Sequence, residues 1–86
     1  MNKIEINQQH LDFIKKIKGK YAIDPKIEEI MENINQMPIT LKLNEQQYIN
    51  LIQLLFDVSD EDTDVSNIKF ANEWIKKIYI INPKFR

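Results

Sequence analysis

Five of the eight residues from 57 to 64, DVSDEDTD, are acids: Asp57, Asp60, Glu61, Asp62 and Asp64. Carboxylates this dense can hold a hard cation, attract a basic partner or simply face water. Asp60, Asp62 and Asp64 have the spacing of the first three ligands of an EF-hand loop. The pattern then fails, because Val65 stands where the loop needs glycine and Ala71 where it needs a bidentate Glu. No metal site is expected. As a solvated turn, the segment would use its last acids to cap the following helix. Its mutual repulsion is nonetheless a cost that a turn of Asn, Gly and Ser would not bear, which points to an acidic contact surface.

Acid–base or nucleophilic catalysis needs a nucleophile, a base and an orienting group in a sheltered pocket. The chain has one histidine and no cysteine, and its serines, Ser59 and Ser66, lie in or beside the acidic run. His10 falls among apolar residues at helical spacing and reads as a packing side chain. Gly19 is the single glycine, so no phosphate-cradling loop can be written and no cofactor is expected. An enzyme is not expected.

Lys15, Lys16, Lys18 and Lys20 crowd the end of the first helix, where cations complement the exposed carbonyls. They are also the contact that a nucleic-acid-associated regulator would use. The next helix, PKIEEIMENINQ, carries one lysine and three glutamates, so phosphates would repel it as a recognition helix. Phe70 and Trp74 fit either a core or an anchor in a partner or dimer surface.

The elements that must position these groups follow from periodicity. Residues 39–43, ITLKL, alternate as a half-buried strand, and Asn44 with Gln47 approximates a capping box that starts a helix at about Glu45. Along that helix Gln46, Asn50, Gln53 and Asp57 form one narrow polar stripe. Tyr48, Ile49, Leu51, Ile52, Leu54, Leu55 and Phe56 cover the rest, which predicts a helix enclosed on most sides. Residues 3–6, KIEI, repeat the strand pattern, and Asn7 can cap a helix over about 8–18. KIEIN-QQHLDFIKKI and TLKLNEQQYINLIQLL match if one residue is skipped, which pairs His10 with Tyr48. Antiparallel pairing of the two strands would set Glu5 against Lys42.

Asp24 and Pro25 open a second helix with Ile27, Ile30, Met31 and Ile34 as its buried stripe. Pro38 forces Met37 out of helical geometry and ends that helix near Gln36. A fourth helix runs from Val65 or Ser66 to about Tyr79, with Ile68, Ala71, Ile75 and Ile78 in one apolar row and Phe70, Trp74 and Ile81 in a second. Pro83 sets its latest end. Alternatively IYII at 78–81 is a third strand, since two strands alone are marginal.

The 86 residues, 43% hydrophobic and 29% charged, predict one globular domain over 1–86. A net charge of −1 gives no global attraction to nucleic acid or anionic lipid, and the absence of cysteine fits a reducing, cytoplasmic setting. The first ten residues lack an apolar signal core and no apolar run exceeds four residues, so neither secretion nor membrane spanning is expected. Heavy use of Ile, Lys and Asn suggests AT-rich codons.

These observations predict a mainly helical α+β domain of order β-α-α-β-α-α, with a two- or three-stranded sheet packed on helices. The expected function is non-catalytic binding of another protein with a basic surface, as an inhibitor or regulator from a phage or other mobile element. The expected contact residues are Asp57, Asp60, Glu61, Asp62, Asp64, Phe70 and Trp74, and a homodimer is allowed. The alternative is the nucleic-acid-associated regulator acting through the four lysines.

Overall fold

A computed structural model describes residues 2–33 and 38–82, and its elements follow the order β-α-α-β-α-α. Alternation writes the two strands, β1 (Asn2–Ile6) and β2 (Ile39–Leu43). Ile4, Ile6, Leu41 and Leu43 are buried, whereas Lys3, Glu5, Thr40 and Lys42 face out. The strands pair antiparallel in a two-stranded sheet, with Ile4 opposite Leu41 and Ile6 opposite Ile39. Lys3 then faces Lys42 and Glu5 faces Thr40, so Glu5 and Lys42 are diagonal neighbours rather than the directly opposed pair expected. Sliding them into opposition would leave Ile39 and Thr40 unpaired. The register that uses all five residues of each strand wins over one surface charge pair.

The helices are α1 (Gln8–Ile17), α2 (Pro25–Glu32), α3 (Glu45–Glu61) and α4 (Val65–Ile81). Asp24 opens α2 as expected, its carboxylate accepting from the Lys26 amide at 2.8 Å. The helix is described as far as Glu32. The Asn33 amide returns to the Ile30 carbonyl and the Asn33 side chain donates to the Glu29 carbonyl at 2.8 Å, an end closed by local hydrogen bonds. The readings made for Ile34, Gln36, Met37 and Pro83 lie outside the described residues.

Two boundaries differ. The acidic run is not mainly a turn: α3 continues through Glu61, and only residues 62–64 link it to α4. Val58, fully buried in the middle of the run, holds these last turns on the core. At the other end 78–81 is helical, not a third strand, because Ile78 continues the buried row of Ala71, Trp74 and Ile75 and the Asn82 amide closes onto the Ile78 carbonyl at 2.8 Å.

The core gathers Leu51, Leu55 and Val58 of α3, the buried row of α4, Phe13, Ile14 and Ile17 of α1, and the inner face of the sheet. The α3 and α4 helices pack along each other. Coverage of α3 is narrower than expected. Ile49 is 43% and Phe56 37% exposed, because β2, α2 and α4 do not enclose α3 on every side. Ile81, assigned by its spacing to an apolar row, is likewise exposed. No helix among the described residues is long and apolar enough to cross a membrane.

Candidate functional site

The acidic run divides into two groups with different environments. In the link, the Asp62 side chain is only 1% exposed. It accepts from the Asp64 amide at 2.7 Å, the Tyr21 hydroxyl at 3.2 Å and the Asn67 side chain at 3.4 Å, with the Lys20 ammonium at 3.9 Å. These donors, the Asp64 amide foremost, hold its carboxyl below the usual carboxylate value against the opposing effect of burial. Asp64 is the N-cap of α4: it accepts from the Ser66 amide at 2.9 Å and the Ser66 hydroxyl at 2.6 Å, and it meets Lys16 at 3.2 Å. The Ser66 hydroxyl, then Lys16, depress its carboxyl strongly. Both acids are committed to joining α3 to α4.

Asp60 and Glu61 sit on the last turn of α3, where exposed carbonyls make negative charge unfavourable by roughly 0.3–1 kcal/mol each, and Asp57 lies one turn before them. No basic residue lies in that last turn. Asp57 accepts from the Gln53 side chain at 3.0 Å. Among the described residues none of the three forms an ion pair. Ile49, Gln53, Phe56 and Asp60 follow one another at helical spacing along the outer face, so the exposed Phe56 ring stands one turn before Asp60 on the α4 side of the acids, with Tyr79 of α4 at 6.3 Å between ring centres. A groove of about 360 Å³ runs beside this face, between residues 22–25 and Asn50, Gln53, Leu54 and Asp57. Asn50 donates to Asp24 across it at 2.7 Å and holds the Asp24 carboxyl below its usual value.

The aromatic candidates lie elsewhere. Trp74 is 3% exposed, stacked on His10 at 4.3 Å and edge-on to Phe13 at 6.1 Å, so it is a core side chain and presents no ring to a partner. Phe70 is half-buried and stacked on Phe13 at 4.7 Å. The second apolar row of α4 exists because that helix packs on α1 as well as on α3. The lysine cluster is largely matched by the protein's own acids. Lys18 reaches Glu28 at 2.9 Å and Glu32 at 2.8 Å, which raise its ammonium above the ordinary value, and Lys16 and Lys20 reach Asp64 and Asp62. Lys15 is exposed.

Among the described residues no three His, Cys, Asp or Glu side chains converge as a metal site. Ser59 is bonded to Asn72 at 2.6 Å and Ser66 to Lys16 and Asp64. Phe56 and Ile49 were missed as surface residues because they are apolar. The available signal was their position, seven residues apart and bracketing Gln53 of the polar stripe. Comparison with protein-family models, curated proteins and solved structures returned no match.

Proposed function

We propose that this chain is a small non-catalytic protein-binding module that engages a basic partner through the acidic end of α3. Asp57, Asp60 and Glu61 supply the charge and Phe56 the apolar anchor at its edge. The observation that carries this reading is uncompensated cost: three carboxylates crowd the last two turns of α3 with no cation paired to them among the described residues, beside a large apolar ring left in water. Asp62 and Asp64 support the surface from the link that follows it. An inhibitor or regulator from a phage or other mobile element, acting in the cytoplasm, is the setting that size and residue usage favour. The nucleic-acid alternative loses support, since three of its four lysines face internal acids.

The test is affinity capture followed by association kinetics at two salt concentrations. Neutralising Asp57, Asp60 and Glu61 as Asn, Asn and Gln should slow association and flatten its salt dependence, because complementary charge acts mainly on encounter. Phe56→Ala should speed dissociation instead. Unchanged kinetics in both variants, with unchanged melting curves, would refute the site. Self-association as the captured species would identify a homodimer.

A further inference from the structure

The single histidine occupies a position that only its neutral form can fill. The Asn7 backbone amide donates to His10 Nδ1 at 3.0 Å, while the His10 amide donates to the Asn7 side-chain oxygen at 3.1 Å, closing a capping box at the start of α1. An Nδ1 that accepts must carry no proton, so the ring proton is on Nε2. An imidazolium has N–H on both nitrogens and would set one donor against another. The ring is also 8% exposed, stacked on Trp74 at 4.3 Å and edge-on to Phe70 at 5.7 Å.

We infer that the Asn7–His10 joint is an acid-sensitive latch: it holds β1, α1 and the Trp74 face of α4 together while the imidazole is neutral, and releases them when the imidazole takes a proton. The charged groups facing the ring are Glu5 on β1, which favours the imidazolium, and Lys77 on α4, which opposes it. Burial is the largest influence and, with Lys77, outweighs Glu5 and pushes His10 below its ordinary value near 6.5. A cleft of about 280 Å³ adjoins the ring, lined by Glu5, Lys77 and the apolar side chains Ile4, Ile78 and Ile80. It gives the charged ring a path to water between β1 and the end of α4.

The protein contains its own insensitive version of this joint. At the start of α3 the Asn44 side chain accepts from the Gln47 amide at 2.8 Å, and the Gln47 side chain accepts from the Asn44 amide at 3.0 Å, the same box closed by a group that does not titrate. His10→Gln should therefore keep the cap and lose the latch.

Trp74 is the only tryptophan, so its emission reports the stack directly. Between pH 7.5 and 5, above the ordinary carboxylate range, the native protein should show an emission change with a midpoint below 6.5 and a joint loss of amide protection across β1 and the first turn of α1. His10→Gln should be flat over this window. The same transition in His10→Gln, or a flat native profile, overturns the inference. Should that variant fail to fold, ring nitrogen shifts of the native protein decide: a proton on Nε2 at neutral pH with titration below 6.5 supports the latch, and a proton on Nδ1 or titration at or above 6.5 refutes it.

Discussion

At Asn7 and at Asn44 a strand ends in an asparagine whose side chain caps the next helix, and in both the third helical residue answers the cap's own amide. The two boxes are built from the same four hydrogen-bonding groups except that one uses an imidazole nitrogen and the other an amide oxygen. His10 lies under Trp74 and Phe70, whereas the Asn44–Gln47 bonds are at the surface. The local chemistry of a cap is thus indifferent to what surrounds it. The third helical residue decides whether a cap can titrate, and the tertiary neighbours decide whether its titration is felt beyond the helix start.

The sharpest way to break this contrast is to remove the ring over the first joint. Trp74→Ala should cost about 3–5 kcal/mol, the range for deleting a buried large aromatic, and should shrink the pH dependence of stability between pH 7.5 and 5. Denaturant titrations at both pH values measure this. A comparable loss, about 2–5 kcal/mol, is expected for Leu55→Ala on the buried side of α3, but with the native pH dependence retained. If both variants lost it, the latch would not be localised at the first joint.

The pH dependence itself has a definite sign. His10 is held neutral in the folded chain, so below about 6.5 the unfolded chain binds the proton more readily and stability falls as pH drops; above that value this contribution is fully present. The depressed carboxyls of Asp24, Asp62 and Asp64 add a loss in the same direction, but only lower, as pH falls below the ordinary aspartate value near 3.8. Thermal melts should therefore show two separate declines on acidification, the upper one missing from His10→Gln.

Smaller effects separate the two caps. Asn7→Ala and Asn44→Ala should each cost about 0.5–2 kcal/mol, with Asn7→Ala the larger because the joint it leaves is buried against α4. Urea midpoints in the reverse order would show that burial does not strengthen the first box. Least of all, Asp60→Asn with Glu61→Gln should raise stability by up to about 1 kcal/mol, since both charges oppose the dipole of α3. A lower melting temperature would mean that these acids help the fold, and would remove the argument for a contact surface.

Much of this architecture was legible in the residues. Alternation at 3–6 and 39–43, the Asn caps, the Asp24–Pro25 start and the acids before Val65 place all six element beginnings to within a residue, because each rests on groups close in sequence. What failed depended on long-range packing. The one-residue skip matched His10 to Tyr48, yet the caps align without a gap, which sets His10 against Gln47 and Leu11 against Tyr48. The acids at 57–61 read as a turn because charge suggested solvent; Val58, one buried side chain, was enough to keep the helix going. For the site, the charge density was visible in order, but not its division. Only the fold brings Tyr21 and Lys20 onto Asp62 and Lys16 onto Asp64, while Asp57, Asp60 and Glu61 form no ion pair among the described residues.

The antiparallel sheet also dictates a sequence of events in time. β1 meets β2 only across the whole of α1 and α2, whereas α3 meets α4 across a three-residue link. Closing the longer loop carries the larger entropic cost, so the α3–α4 hairpin should be in place at the rate-limiting barrier and the sheet should form after it. Truncation of Leu55 would then mainly slow folding, while truncation of Ile4 would mainly hasten unfolding. The titratable joint thus sits on the part of the molecule assembled last, where opening it leaves the early-formed hairpin, and the acidic face it carries, undisturbed.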